Sequence, residues 1–381
     1  MRLPLPVISL LVHLYVAWRL LPALASSSLL AGALLLAWLV ASALLLPQAL
    51  RPQGRRGGRT LKVAALIAMG LFSSLFVATF LRDVALVIGA VWSLAVAGTG
   101  ETLGGFSLWS AWLVPLLAVV VTAIGGFNAR RTAAIKRVDV PIAGLPAGFD
   151  GFTIAQLSDV HVGPTIRAPY VQALVDRVNG LQADLVAITG DLVDGSVPML
   201  SSHVAPLGTL QSRHGTFFVT GNHEYYAGAH AWIDELRRIG MRVLLNSHVS
   251  LADPQGGARP LVLAGVADYG AEHFDRAHRS DAVAALAGSP AEPAVRVLLA
   301  HQPRSAGAAA AAGFDLQLSG HTHGGQFWPW NHFVRFQQPY LAGLYRLGRM
   351  WVYVSRGTGY WGPPKRFGAP SEITLLRLVR A

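Results

Sequence analysis

The sequence predicts a chain in two parts: a bundle of apolar, membrane-length helices, then an α/β domain from about Val138 to the C-terminus. Three observations carry this reading. Apolar residues make up 52% of the 381 positions and charged residues only 13%, too lopsided for a wholly soluble chain. The imbalance is local: residues 1–128 hold eight Lys/Arg and two acids, against 23 and 18 in the remaining 253. Beyond Val138, short apolar runs of strand length alternate with turn residues and a few helical stretches. The expected division is 1–128 for the transmembrane region, 129–137 for a basic juxtamembrane linker and 138–381 for the α/β domain.

In the first part, runs from about Ser27 to Leu46, Leu61 to Leu81 and Leu108 to Phe127 are long and apolar enough to span a bilayer. A fourth, Leu3 to Leu24, contains His13 and Arg19, the latter near enough one end to snorkel. The run Val84–Gly98 is apolar but short, and reads as a re-entrant or marginal span. Arg2 and Ala23-Leu24-Ala25 have the look of a signal peptide, but the span that follows at once favours a retained helix. No acidic residue is expected deep inside a span, so the helices read as an anchor rather than a transporter. Arg51, Arg55, Arg56, Arg59 and Lys62 mark a cytoplasmic loop of a multi-pass cell-membrane protein. Four spans place the second basic flank (Asn128 to Arg131, with Lys136 and Arg137) and the C-terminal domain on the cytoplasmic side. A fifth crossing would reverse that.

The charge beyond residue 128 nets only +5, so no nucleic-acid partner is expected. The chain has no cysteine, which excludes disulfides, thiolate metal sites and thiol catalysis. Any metal must be held by His, Asn and carboxylates.

In the second part, polar residues follow the ends of apolar runs. Phe152–Ser158 leads into Asp159-Val-His161, Asp184–Thr189 into Gly190-Asp191-Leu-Val-Asp194, and Thr216–Thr220 into Gly221-Asn222-His223-Glu224. Arg296–Ala300 leads into His301, and Phe314–Ser319 into Gly320-His321-Thr-His323. In α/β architectures ligands collect at the carboxyl ends of strands. Val171, Leu174, Val175, Val178 and Leu181 fall at helical spacing between the first two blocks, so a strand–helix–strand unit should bring Asp159 near Asp191. Asp-x-His and His-x-His should each aim two ligands one way, because positions i and i+2 of a strand share a face. Hydrolysis of a phosphate ester needs a strong nucleophile and neutralised phosphoryl oxygens, which two metal ions supply together.

These five blocks, in this order, resemble the calcineurin-like metallophosphoesterase family over about Val138 to the C-terminus. Ser319–Gln326 and Arg366–Ile373 resemble its membrane-associated bacterial branch. The resemblance implies a two-sheet sandwich flanked by helices (αββα). It also implies that Asp159, His161 and His323 bind one metal, that Asn222, His301 and His321 bind a second, and that Asp191 bridges them. A metal-bridging hydroxide would attack phosphorus, while His223 orients the phosphate and protonates the leaving oxygen. Asp194 and Glu224 are expected to support these ligands by hydrogen bonds, with a helix N-cap the competing role for Asp194. Manganese, iron or zinc would each suit the donors. The other eight histidines, His230 and His278 among them, are assigned no role.

Gly324 and Gly325 read as sites of close backbone approach. Phe327-Trp-Pro-Trp330, Phe333, Phe336, Tyr340, Tyr360 and Trp361 are either core packing or a rim that meets lipid or an acyl chain. Arg335, Arg346, Arg356 and Arg366 read as surface residues, with phosphate contact the alternative. The expected activity is that of a membrane-anchored phosphohydrolase acting on a phosphodiester, phosphomonoester or pyrophosphate. The substrate could be lipid-linked, since some relatives in this branch cleave UDP-2,3-diacylglucosamine in lipid A biosynthesis. The competing class is a non-catalytic membrane scaffold or binding module, which should have lost a ligand; none is missing here.

Overall fold

The computed structural model describes residues 4–50, 58–95 and 100–381. Arg51, Arg55 and Arg56 of the expected cytoplasmic loop lie outside these. Two compact units form: residues 1–127 with 362–365, and residues 128–361 with 366–381.

The first unit contains α1 (Leu5–Ser27), α2 (Leu29–Ala49), α3 (Arg59–Ala95) and α4 (Gly100–Arg130). All four are long and apolar enough to cross a membrane. Val16, Leu20, Leu24, Leu39, Phe72, Leu75, Ala111, Val114 and Ala118 pack between them. Trp18, Leu29, Leu30, Leu44 and Val87 instead point outward, as lipid-facing residues would. Val84–Gly98 is not a separate short span: α3 runs unbroken through Asp83 to Ala95, because no proline or glycine pair interrupts it. Asp83 therefore sits inside a long helix, contrary to the expectation of no internal acid. It is tied to Arg19 Nε at 2.8 Å and to the Tyr15 hydroxyl at 2.7 Å. Neighbouring Arg82 donates to Ser110 Oγ at 3.0 Å and to the Ser107 carbonyl at 2.9 Å. Gly362–Lys365 belongs to this unit, where Lys365 Nζ donates to the Gly70 carbonyl and the Ser74 hydroxyl.

The second unit is a sandwich of two six-stranded sheets. Its strands are β1 (Ala134–Ile142), β2 (Thr153–Leu157), β3 (Leu185–Thr189), β4 (Thr216–Val219), β5 (Arg242–Val243), β6 (Ser247–Leu251), β7 (Leu261–Gly265), β8 (Val295–Leu299), β9 (Leu316–Ser319), β10 (Gly343–Leu347), β11 (Met350–Val354) and β12 (Glu372–Arg380). One sheet has the order β1-β12-β2-β3-β4-β5 and the other β10-β11-β9-β8-β7-β6. Residues 129–137, expected as a linker, carry the last turn of α4 and the start of β1, where Ala134 pairs with Glu372 of β12. The β-branched and apolar residues of β1 find a parallel partner at the opposite end of the sequence, which local reading does not reveal.

Period-2 alternation builds the layers. Along β3, Leu185 and Ala187 enter the core between the sheets, whereas Val186 and Ile188 face the helices. Those helices are α5 (Ala168–Asn179), α6 (Val197–Val204) and α8 (Ala229–Arg238), which bury Val171, Leu174, Val178, Leu200, Val204, Trp232 and Leu236 against the first sheet. α7 (Asn222–Ala227) follows β4. α9 (Ala306–Ala312) covers the second sheet through Ala306, Ala309, Phe314 and Val352, and α10 (Trp330–Val334) completes the set. The result is the expected αββα arrangement. Strands β2, β3 and β4 are mutually parallel, as are β7, β8 and β9, so each sheet sends several carboxyl ends to one edge.

Candidate metal centre

Each predicted ligand lies just past one of these carboxyl ends. Asp159 and His161 follow β2, Asp191 follows β3, Asn222 opens α7 after β4, His301 follows β8, and His321 and His323 follow β9. Both sheets contribute, and the structure brings six of the seven into one cluster, while Asn222 adjoins it through His223, whose N–H donates to Asp191 Oδ1 at 2.8 Å. Asp191 Oδ2 lies 3.2 Å from His301 Nε2 and 3.9 Å from His161 Nε2. His323 Nε2 is 3.0 Å from His161 Nε2 and 3.4 Å from Asp159 Oδ1. His321 Nδ1 is 3.2 Å from His301 Nε2. Two groups of mutually close donors result, Asp159–His161–His323 and Asp191–His301–His321.

The expected reason for the shared aim of each ligand pair does not hold. β2 ends at Leu157 and β9 at Ser319, so neither pair sits on a regular strand. Asp159, His161, Asp191, His321 and His323 instead all adopt left-handed backbone, with φ of 53°, 55°, 51°, 70° and 52°. Residues with a Cβ take this region at a cost of about 1–3 kcal/mol each, and such strain concentrates at functional sites. Hydrogen bonds between loops hold the conformation: Asp159 N–H donates to the Gly190 carbonyl at 3.0 Å and His161 N–H to that of Asp191 at 3.1 Å.

The surrounding contacts decide which nitrogen faces inward. His301 Nδ1 donates to the Thr189 carbonyl at 2.8 Å, leaving Nε2 toward Asp191. Asp194 Oδ1 accepts from His161 Nδ1 at 2.9 Å and from His223 Nδ1 at 2.7 Å, so one carboxylate orients both rings. Glu224 is wholly buried and accepts three backbone N–H groups, those of Asp191 at 3.0 Å, Leu192 at 2.8 Å and Gly221 at 2.6 Å. It thus ties the second motif loop to the third. Gly221 allows their close approach, since a Cβ there would lie 2.2 Å from Asp191 Oδ1. Gly325 has φ +80° and would place a Cβ 2.2 Å from Asn331 Cα, the close backbone approach expected of it.

Burial and the neighbouring charges set the protonation of the cluster. Burial would raise Asp191, but the His301 and His223 charges keep it well below the usual carboxylate range. His301 is raised well above an ordinary imidazole: burial opposes protonation, and Asp191 and Asp159 overcome it. Burial and the His301 charge push His321 down to about 3, and burial with His161 and Arg366 keeps His323 neutral as well. For His223, burial is outweighed by Asp191 and Asp194, giving about 9. Burial, reinforced by Asp191, raises Glu224 to about 7. The donor set fits metal ions on a further observation: Asn222 Oδ1 is buried with no hydrogen-bond partner. An orphaned carbonyl oxygen costs about 1–3 kcal/mol unless something electropositive meets it.

Three features escaped the sequence reading. Arg366 is not a surface residue but fully buried. It donates to the carbonyls of His323 at 2.9 Å and Arg356 at 2.7 Å, and sits 3.2 Å from His323 Nδ1, leaving Nε2 toward the cluster. Its quoted motif was the signal, but the use of its charge depends on a loop fold. Asp268 follows β7 as the candidate ligands follow their strands; it is buried, accepts from Gln302 Nε2 at 3.0 Å and helps raise His301. Tyr226 and Trp361 stand edge-on to His223, with ring centroids 5.3 and 5.9 Å away.

Comparison with known proteins agrees with this geometry. Residues 152–325 match the family described as calcineurin-like phosphoesterase. A Bos taurus "Transmembrane protein with metallophosphoesterase domain" is 42% identical over 284 residues, covering 71% of this chain and 63% of that protein. An "Uncharacterized metallophosphoesterase" of Helicobacter pylori strain J99 is 43% identical over 229 residues, 59% of each chain. One from Aquifex aeolicus is 31% identical over 246 residues, 64% of this chain and 91% of that protein. The chain thus spans less than two thirds of the vertebrate relative and nearly all of the Aquifex one. With the family's matched segment running from β2 through both histidines of the last motif, this chain belongs to the calcineurin-like phosphoesterases.

Proposed function

We propose that the chain is a membrane-anchored phosphohydrolase that cleaves a phosphodiester, phosphomonoester or pyrophosphate bond with two divalent metal ions, on a lipid-linked substrate. The observation that carries this is the position of Asp191 Oδ2 between two groups of inward-facing donors, with Asn222 Oδ1 left for an electropositive partner. Asp159, His161 and His323 would hold one ion, Asn222, His301 and His321 the other, and Asp191 would serve both. Manganese, iron and zinc all suit such ligands. Ions bound there supply an activated water and neutralise charge on the phosphoryl oxygens.

The chain's own residues do the rest. His223 is held by Asp194 through Nδ1, so its Nε2, 3.9 Å from Asp191 Oδ2, is the atom that meets a phosphoryl oxygen and delivers a proton to the leaving group. Asp191 and Asp194 favour its protonated form, as a proton donor requires. Glu224 and Arg366 fix the loops that carry Asp191 and His323.

The lipid-linked substrate is supported by the aromatic segment. Phe327 and Tyr360 are core residues, but Trp328, Trp330, Phe333, Phe336 and Trp361 are exposed, Phe336 to 85%. Exposed Trp and Phe in one segment suit a headgroup–acyl boundary. A cytoplasmic location for the domain, in the cell membrane, rests on the basic N-terminus of α3 (Arg59 and Lys62) and the basic end of α4 (Arg130).

The test is hydrolysis of bis-p-nitrophenyl phosphate by full-length protein in detergent, stripped of metal and then given manganese. Activity should return with metal and be lost in Asp191→Asn and His223→Ala, and lipid diphosphates should then be screened. Equal activity in the stripped protein, or in both variants, would overturn the assignment.

A further inference from the structure

Outside this centre, His230, Asp275 and His278 form a second kind of cluster: one ligand atom from each lies within 4.8 Å of the other two. We propose that these three residues bind an additional divalent transition-metal ion, of the zinc, nickel or copper type, which clips α8 to the segment 271–278.

The donor set is two imidazoles and one carboxylate gathered at one place. His230 Nε2 stands 3.0 Å from Asp275 Oδ2, close to the roughly 3 Å expected between two atoms that each bond one ion at about 2.0–2.2 Å. The His230 and His278 ring centroids are 4.9 Å apart, and His230 is exposed enough to close the remaining gap by rotation of its side chain. The other atom of each inner ligand is already engaged. Tyr225 Oη lies 2.8 Å from His278 Nδ1, which leaves Nε2 free of that contact, and Asp275 Oδ1 accepts the Ala277 N–H at 2.9 Å, while Oδ2 meets His230. Supporting contacts of this sort orient metal-binding imidazoles. Two imidazoles and one carboxylate select transition ions over magnesium or calcium.

No donor is shared with the groups assigned to the main centre, yet the clip would act on the same rim. His230 opens α8, while Asp275 and His278 sit on the facing segment. Phe274, in that segment, packs against Tyr225 and Tyr226 at 5.7 and 5.6 Å, and Tyr226 in turn packs on His223. An ion at the triad therefore holds the aromatic wall beside His223 in place.

The experiment counts metal on full-length protein in detergent, stripped by chelator and dialysed against zinc, with His230→Ala, Asp275→Asn and His278→Gln beside the parent. Asp275→Asn keeps an oxygen for the Ala277 N–H, so that variant tests metal binding without removing the turn. Each variant should carry one ion fewer per chain than the parent, and zinc should slow proteolysis within residues 271–278 in the parent alone. Asp191→Asn should keep the additional ion, which separates this site from the main centre. Equal zinc content in the parent and all three variants would reduce the cluster to a hydrogen-bonded surface group and overturn the proposal.

Discussion

At the scale of single residues, the site depends on side chains that never meet a substrate. Asp194 accepts from both His161 and His223, so its loss frees the proposed ligand and the proposed proton donor together. Asp194→Ala should weaken metal affinity about 10–100-fold, as loss of such a supporting carboxylate does elsewhere. It should also depress turnover with saturating metal, because His223 loses the partner that favours its proton. A metal titration read beside kcat at saturation separates the two effects. Arg366 is a different case. Arg366→Ala strands the carbonyls of His323, Arg356 and Gly359 in a buried place, and should destabilise the domain by on the order of 3 kcal/mol. Urea unfolding would read this directly. A variant as stable as the parent would mean that water reaches those carbonyls.

At the scale of elements, the working parts are loops rather than strands. β2, β3, β4, β8 and β9 each end two or three residues before a candidate ligand, and left-handed turns aim most of those side chains. The loops are packed tightly enough that one methyl group matters. Gly221→Ala would push a Cβ into Asp191 Oδ1 while leaving β3 and β4 in place. Its expected signature is a native circular dichroism spectrum with kcat down about 100-fold, the scale of an ångström-level misplacement. Retention of full activity would show that the Gly221 and Asp191 loops can separate without consequence. In the helical unit, the corresponding tight point is Asp83. Asp83→Ala leaves Arg19 and Arg82 without their carboxylate inside apolar helices, and membrane-inserted protein should accumulate to a lower level. Quantifying the protein in carbonate-washed membranes checks this.

At the scale of the whole molecule, metal and fold are linked. On the proposed ligand set, five residues with left-handed backbone and an orphaned Asn222 oxygen sit where metal binding would stabilise the folded domain. Two-site occupancy at about 100 times the dissociation constant contributes roughly 2.7 kcal/mol for each ion. Chelation should accordingly lower the unfolding temperature of the C-terminal unit, and manganese should restore it. An unchanged unfolding temperature would mean that the loops hold their strained backbone unaided.

By itself, the sequence determined the order of the parts and picked out the seven candidate ligands. Membrane-length apolar runs are a matter of composition, and a strand followed by Asp-x-His or Gly-Asn-His-Glu is a local pattern. It could not show that Val84–Ala95 continues α3, because a helix's length depends on what surrounds it as much as on its own residues. Nor could it show that 134–137 joins β12, some 240 residues away, since strand pairing at that separation leaves no local trace. The tertiary structure alone decided that Arg366 is buried against His323, that one Asp194 oxygen serves two imidazoles, and that His230 and His278 lie within reach of Asp275. The reason is common to all three: the chemistry of a side chain is written locally, but its protonation, aim and partners are set by groups that only folding brings within a few ångströms.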